Sequence, residues 1–393
     1  MSDNMGADAH GMGTDAVAAD WPAMTQDDLT RLLAHYPALG KLQARHWRSP
    51  RPFSCAEIIA TEHGSLFVKR YHHRVRQPEG LIEEHRFMTH LAEQGIPVPH
   101  IYRSLTGDSA LRLGDWTYEI HGLSSGEDWY RDTRSWEPFH SADDARAAGA
   151  MLARCHIAAA DYQAPCRRQQ PLIANLRLFS QKNPLEALQR HIAGRPALMA
   201  YFADKPWRQT IDQHILPWHR KVFPYLAQQK PLWTHNDWHA SNLLWRRTPT
   251  RPEVACVIDF GLSDRTFALF DLATAIERNA IAWLSLTPAH SPEADLSAVT
   301  ALLAGYREHL ALTDTDLLVL SLLLPIVHAD FALSELDYFA DILKNRTYAD
   351  LAWFDYLFGH AAWFSQPAGQ RLLRHIRTPS RRRRQTEGTP HHA

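Results

Sequence analysis

The stretch Trp233-Thr-His-Asn-Asp-Trp-His-Ala-Ser-Asn-Leu-Leu-Trp245, followed by Val257-Ile-Asp-Phe-Gly261, decides the reading of this chain. It spaces His235, Asp237 and Asn242 as H-x-D-x-x-x-x-N and sets Asp259 at the head of a D-F-G. Leu232-Trp233-Thr234 is a short apolar strand entering the loop, and Leu243-Leu244-Trp245 is a strand leaving it. Val254–Ile258 is a continuous apolar run of strand length, so Asp259 falls at the end of a buried strand. Such an end holds a carboxylate rigidly beside a cleft. A lone H-x-D or a lone D-F-G carries little weight. The ordered succession of strand, loop, strand and strand-end carboxylate is far harder to obtain by chance.

Transfer of a phosphoryl group from a nucleotide needs this inventory. One carboxylate orients the acceptor hydroxyl and takes its proton, while an amide and a second carboxylate hold the magnesium ions that bridge the phosphates. Protein kinases use the same arrangement, as H-R-D-x-x-x-x-N and D-F-G, and Asn236 stands where they have Arg. With Phe270-Asp271-Leu272-Ala273 following, the chain resembles the aminoglycoside phosphotransferase and choline kinase-like family. Members carry H-G-D-x-x-x-x-N, an apolar strand ending in I-D-F or I-D-W, and a helix beginning D-L-A. The resemblance implies an α+β, bilobal protein kinase-like fold, with a small β-rich N-lobe and a larger, mainly helical C-lobe. It implies Asp237 as catalytic base, Asn242 and Asp259 as metal ligands, Asp271 as a structural carboxylate tied to the catalytic loop, and ATP and Mg2+ as cofactors. His235 belongs to the catalytic loop, where its imidazole is better placed to brace than to react. The departures are Asn236 for the usual Gly, Trp238 and His239 on the turn, and no Gly-Asp-Pro before D-L-A. They bear on the subfamily more than on the fold.

An N-lobe of this kind needs a lysine on a strand and a glutamate on the next helix. Leu66–Tyr71 is a strand with Lys69 inside it, and Leu81–Leu91 carries a partial helical stripe of Ile82, Phe87, Met88 and Leu91. Glu84 is the expected partner of Lys69, with Glu83 as the fallback. Gly95 ends the helix and Ile96-Pro-Val-Pro99 begins an extended segment, which resembles the family's L-x-x-x-G-V-P-V-P. No G-x-G-x-x-G occurs. The turn Arg48–Ser54, between strands near Leu42–Trp47 and Ser54–Thr61, holds two prolines that remove backbone donors. The side chains of Ser49, Arg51 or Ser54 stand in for a glycine loop there, or the turn is an ordinary hairpin. Thr117–Leu123 is the strand leading into the hinge between lobes. By resemblance, backbone groups near Glu119 to His121 contact the adenine. The helix of segment Asp143–Ala160 carries His156 on its packed stripe, as a core histidine.

At 393 residues the chain is too long for one ordinary core. The expected division is a disordered tail over 1–25, an N-lobe over 26–121, a C-lobe over 122–375 and a basic disordered tail over 376–393. A formal net charge of −1 gives no push toward nucleic acid or membrane. The N-terminus lacks the basic start and apolar core of a secretory signal. The apolar run Leu317–Val327, broken by Pro325, is shorter than the ~20 residues that span a bilayer and reads as a buried C-lobe helix. The four cysteines form no C-x-x-C, so zinc is not expected; Cys55, Cys155 and Cys256 read as buried thiols of a reducing cytoplasm. The expected substrate is a small-molecule alcohol: an amino alcohol, a hydroxy amino acid or an aminoglycoside-like compound. Asp330, Glu335, Asp337 and Asp341 are candidates to attract its cationic group, or they form a solvated acidic face. Glu277 and Arg278, on a helix near the loop, are placed to receive a zwitterion. The alternatives are a Ser/Thr protein kinase on the same scaffold and a non-catalytic nucleotide-binding module. Oligomeric state is not legible.

Overall fold

The computed structural model describes residues 19–49, 53–168, 170–287 and 289–378. Of the expected tails, 1–18 and 379–393 lie outside the described residues, as does the centre of the Arg48–Ser54 turn, 50–52. Residues 19–25, within the expected first tail, are among the described residues. Trp21 stacks on His72 at a centroid distance of 4.8 Å and Met24 is buried.

Five antiparallel strands form the first sheet, in the order β1 (Leu42–Arg48), β2 (Cys55–Thr61), β3 (Gly64–His72), β5 (Trp116–Gly122), β4 (Leu111–Leu113). Side chains alternate across a strand, so each residue's parity fixes its face. Ile59, Leu66, Val68, Tyr118 and Ile120 point to one face and close a small core with Leu29, Leu32 and Leu33 of helix α1 (Gln26–Leu33). Thr25 starts α1 with a reciprocal capping box to Asp28. Lys69 and Tyr71 take the other face, and the register pairs Lys69 with Glu119 across β3 and β5. That face is covered by helix α2 (Pro78–Glu93), which begins on a proline and ends before Gly95, at a positive φ of 79°.

The remainder is mainly helical. Helix α3 (Ala142–Ala158) is capped by Ser141; four short helices follow, α4 (Pro184–Ala193), α5 (Pro196–Phe202), α6 (Trp207–His214) and α7 (Leu216–Leu226). Two small hairpin-like sheets then carry the motif. Strand β6 (Pro231–Thr234) pairs with β9 (Asp264–Phe267), and β7 (Leu243–Arg247) pairs with β8 (Pro252–Val257). Helices α8 (Ala268–Asn279), α9 (Leu296–Tyr306), α10 (Asp314–Leu323) and α11 (Ala329–Asp337) complete the body with the C-terminal helical segments. The helical stretch Asp314–Ile342 is long and apolar enough to cross a membrane, but 89% of its most apolar window is buried inside the protein. It is a core element, as expected for Leu317–Val327. Cys55, Cys155 and Cys256 are buried free thiols, and Cys166 is exposed.

Candidate active site

The loop between β6 and β7 is built around Asp271 of α8. Its two carboxylate oxygens accept the backbone N–H groups of His235 and Asn236 at 3.0 and 2.8 Å. His156 of α3 bonds Asp271 through Nε2 at 3.1 Å and Tyr306 of α9 through Nδ1 at 2.8 Å. Both the structural carboxylate and the core histidine take their expected places. Asp271→Ala is expected to cost roughly 1–3 kcal/mol for each backbone amide it orphans, read as a lower denaturation midpoint at unchanged slope.

Asn236 explains its own departure from glycine. Its φ is 63°, in the left-handed region that Gly and Asn adopt most readily. Its side chain accepts from Thr234 at 2.7 Å and donates to the Leu262 carbonyl at 3.2 Å, which glycine cannot do. His235 accepts the Asp237 N–H on Nδ1 at 3.2 Å and lies 3.0 Å through Nε2 from the Ile258 carbonyl. It ties the loop to the strand end that carries Asp259, which is bracing rather than chemistry.

Asp237, Asn242, Asp259, Lys69 and Ser54 line one cleft. Asn242 Nδ2 donates to the Asp237 carbonyl and to Oδ2, at 3.0 and 3.1 Å, and so leaves its amide oxygen for a ligand. Asp259 sits at φ 56°, an uncommon conformation that aims its carboxylate at Lys69 Nζ, 3.0 and 3.1 Å away. Burial pushes the Asp259 carboxyl up, but the Lys69 ammonium more than offsets it and holds the group below its ordinary value. Burial acts in the same way on Asp237, where His239 and Arg278 outweigh it and hold the carboxyl far below its usual range. Both are therefore ionised. The Asp259 carboxylate and the Asn242 amide oxygen form an all-oxygen donor set, which suits a hard divalent ion such as Mg2+.

Two expectations need correction. Lys69 pairs with Asp259, not with Glu84 or Glu83. Glu84 is buried against Arg167, whose Nη2 lies 3.3 Å away and whose Nη1 donates to the Gly261 and Ser263 carbonyls at 3.0 and 3.1 Å. Helix α2 thus grips the D-F-G turn through an arginine rather than through the strand lysine. The carboxylate across from Lys69 is Glu119. It is buried, bonds Tyr71 at 3.1 Å, and holds two imidazoles, His85 at 2.7 Å and His121 at 3.1 Å. The second correction concerns the adenine contact. Residues 119–121 are paired with β3 on one side. On the other, Tyr102 N–H donates to the Ile120 carbonyl at 3.0 Å and Gly122 N–H to His100 at 2.8 Å. Most of their backbone groups are engaged within the sheet.

The four acidic candidates also separate. Asp330 caps the backbone at Leu178, Asp337 pairs with Arg195, and Asp341 pairs with Arg74 and Lys344. Glu335 alone lines the cleft, at 1% exposure, with no hydrogen-bond partner for Oε2. Burial pushes its carboxyl up to about 8; Arg278 lowers it, and Asp237 and Glu277 raise it. An unfolded chain ionises this group from near its ordinary 4.5, so between 4.5 and 8 the folded state binds more protons and stability falls as pH rises. Glu335→Gln should melt close to wild type near pH 5 and a few degrees higher above pH 8. A pH-independent difference would refute the assignment.

Arg167, Arg76 and Trp136 carry no motif or spacing that marks them in the sequence. Arg76 bridges the segment before α2 to the Leu172 and Gly261 carbonyls at 2.7 and 3.2 Å. Trp136 lies beneath the Arg278 guanidinium at 3.5 Å. Only the folded chain brings Arg76 and Trp136 to the cleft and sets Arg167 behind it, on Glu84 and the D-F-G turn.

A sheet carrying a cleft lysine, facing a helical body whose loop presents Asp237, Asn242 and Asp259, defines an enzyme of the protein kinase-like phosphotransferase class. Residues 57–312 match the model of the phosphotransferase enzyme family, and the chain belongs to that family. A homoserine kinase of Zymomonas mobilis is 22% identical over 209 residues, 52% of this chain and 62% of the relative, so the chain spans less than two thirds of that relative's length. Among solved structures, a microcompartment-associated aminopropanol kinase superposes with a TM-score of 0.58 at 16% identity, covering 89% of this chain and 98% of its own. Amicoumacin kinase, in complex with AMP-PNP, Ca2+ and its substrate, gives 0.55 at 16% identity, covering 83% and 93%.

Proposed function

We propose that this protein is an ATP- and Mg2+-dependent kinase of a small-molecule alcohol, working in the cytoplasm. The observation that supports it most is the meeting of the Lys69–Asp259 pair with the Asp237–Asn242 pair in one cleft. Lys69 contacts the nucleotide phosphates, and Asp259 and Asn242 hold the metal, which neutralises phosphate charge when bound. The adenine is read by the segment leaving β5, Leu123–Ser125, since most backbone groups of residues 119–121 are engaged within the sheet. Ser54 lies under the phosphates at the start of β2. Asp237, kept ionised by His239 and Arg278, accepts the hydroxyl proton. The acceptor oxygen bonds to the γ-phosphorus as the bond from that phosphorus to the β-phosphate oxygen breaks, and ADP leaves.

The acceptor side of the cleft is walled by buried aromatic and charged groups, which fits a small alcohol better than a polypeptide. Relatives acting on homoserine and aminopropanol are consistent with this. The test is ADP production from ATP and Mg2+ with a panel of amino alcohols, hydroxy amino acids, sugars and aminoglycosides, with Asp237→Ala as control. Turnover lost in the variant supports the reading. Labelling of lysate proteins with no turnover on the panel would replace it with the protein-kinase alternative.

A further inference from the structure

A buried arginine and a buried carboxyl group line the cleft beyond Asp237, and each has a polar atom without a partner. Arg278 of α8 is 4% exposed. Its nearest carboxylates are Asp237, 3.6 Å from Nη2, and Glu277, 3.8 Å from Nε. Both distances exceed a hydrogen bond, and Nε has no acceptor. Glu335 of α11 is the counterpart, with Oε2 unpaired. Among the described residues no ion pair joins Arg278 to Glu335.

Unsatisfied buried polar groups are costly and uncommon, and a ligand is one of the few things that explains a pair of them lining a cleft. The guanidinium carbon sits 3.5 Å from the Trp136 ring centroid and 5.1 Å from that of Phe331, so the aromatic wall fixes where the group stands. A planar donor edge matches a carboxylate in two parallel bonds, whereas an ammonium is a point charge that a lone carboxylate oxygen receives. Arg278 and Glu335 line the same cleft as Asp237, whose cavity volume is about 160 Å³.

We infer that the acceptor is a compact zwitterion, a hydroxy amino acid, with its carboxylate on Arg278, its ammonium on Glu335 and its hydroxyl facing Asp237. This rests on the phosphotransferase reading of the same cleft. It excludes simple amino alcohols, which leave Arg278 unpaired, and hydroxy acids without an amine, which leave Glu335 unpaired. The position of Glu335 gives the ammonium a second effect. Its carboxyl is pushed up to about 8, so an arriving cation expels a proton as it binds. The groups facing it are Arg278 and Glu277 from α8, Asp237 from the catalytic loop and Tyr356 from the helical segment Leu351–Gly359.

The test uses the full chain with Mg2+ and ATP. L-serine, L-threonine, L-homoserine and 5-hydroxylysine are compared with stripped analogues: 3-aminopropan-1-ol is homoserine without its carboxylate, and 4-hydroxybutyrate is homoserine without its amine. One hydroxy amino acid should be phosphorylated with kcat/KM at least about tenfold above its stripped counterparts, the scale of a lost charged contact. Arg278→Met should collapse the ratio between the amino acid and its decarboxylated analogue. Glu335→Gln should collapse the ratio to the deaminated one. If Arg278 serves the transferring phosphate instead, Arg278→Met lowers every substrate equally and keeps the ratio, which overturns the assignment. Equal or better use of the amino alcohol by wild type also overturns it, as does ATP binding with no turnover of any hydroxy amino acid. Fluorescent-nucleotide binding separates the two levels: failure to bind Mg2+–ATP overturns the phosphotransferase reading itself.

Discussion

Asp237→Ala is expected to lower kcat by ~10²–10⁴-fold, the range for loss of a positioned general base, with Mg2+–ATP affinity close to wild type. The geometry separates the two effects. The variant removes the carboxylate but keeps the backbone carbonyl at 237, from which Asn242 Nδ2 still has a 3.0 Å bond. Lys69 and Asp259 are untouched. Asp259→Ala should behave differently. It removes a proposed metal ligand and strands the Lys69 ammonium, whose high pKa rests on that carboxylate after burial has lowered it. Nucleotide affinity should then fall together with turnover. Single-turnover kinetics beside a nucleotide titration distinguish the two variants. Equal activity of either with wild type would refute its residue's role.

What was legible in the chain is what lies close together along it. The H-x-D-x-x-x-x-N loop, its flanking strands and the D-F-G fall within some thirty residues, and local spacing fixes their geometry. Lys69 was placed correctly for the same reason, since period-2 alternation in β3 sends it to the cleft face with Tyr71. The partner of Lys69 was not legible. Pairing Glu84 with Arg167 joins residues 83 apart, and Arg167 sits in a loop with no pattern of its own. Nor does sequence tell which carboxylates of an acidic helix are spent. Asp330, Asp337 and Asp341 differ from Glu335 only in what other segments bring to them. The second edge of β5 was not legible for a related reason: it is met by His100–Tyr102, an extended segment that periodicity does not dock.

Gly305→Ala should destabilise the protein by roughly 1–3 kcal/mol or more, the cost of overpacking a core, although alanine ordinarily favours a helix by ~1 kcal/mol over glycine. The sign reverses because α3 and α9 touch backbone to backbone. A Cβ at Gly305 would stand 1.9 Å from the Arg146 carbonyl oxygen, and one at Gly149 would stand 2.0 Å from that of Leu302. Neither neighbour is a flexible side-chain end, so the helices must separate. Gly194, at the end of α4, is the control: its nearest atoms are 3.7 and 3.9 Å away, in ordinary contact, and Gly194→Ala should be near neutral. The Gly305 effect should also reach the chemistry. Tyr306 is the next residue, and its hydroxyl positions His156, which bonds Asp271, which in turn holds the His235 and Asn236 amides. Displacing α9 therefore loosens the loop that aims Asp237, and kcat should drop in the fraction that remains folded. Conservative replacement of Tyr306 by Phe, which removes the hydroxyl without moving the helix, separates the two routes. If turnover falls in Tyr306→Phe at nearly wild-type stability, the hydrogen-bonded chain carries the effect. If it does not, the loss in Gly305→Ala comes from helix displacement alone. A Gly305→Ala protein as stable as wild type would show that α3 and α9 do not cross so closely.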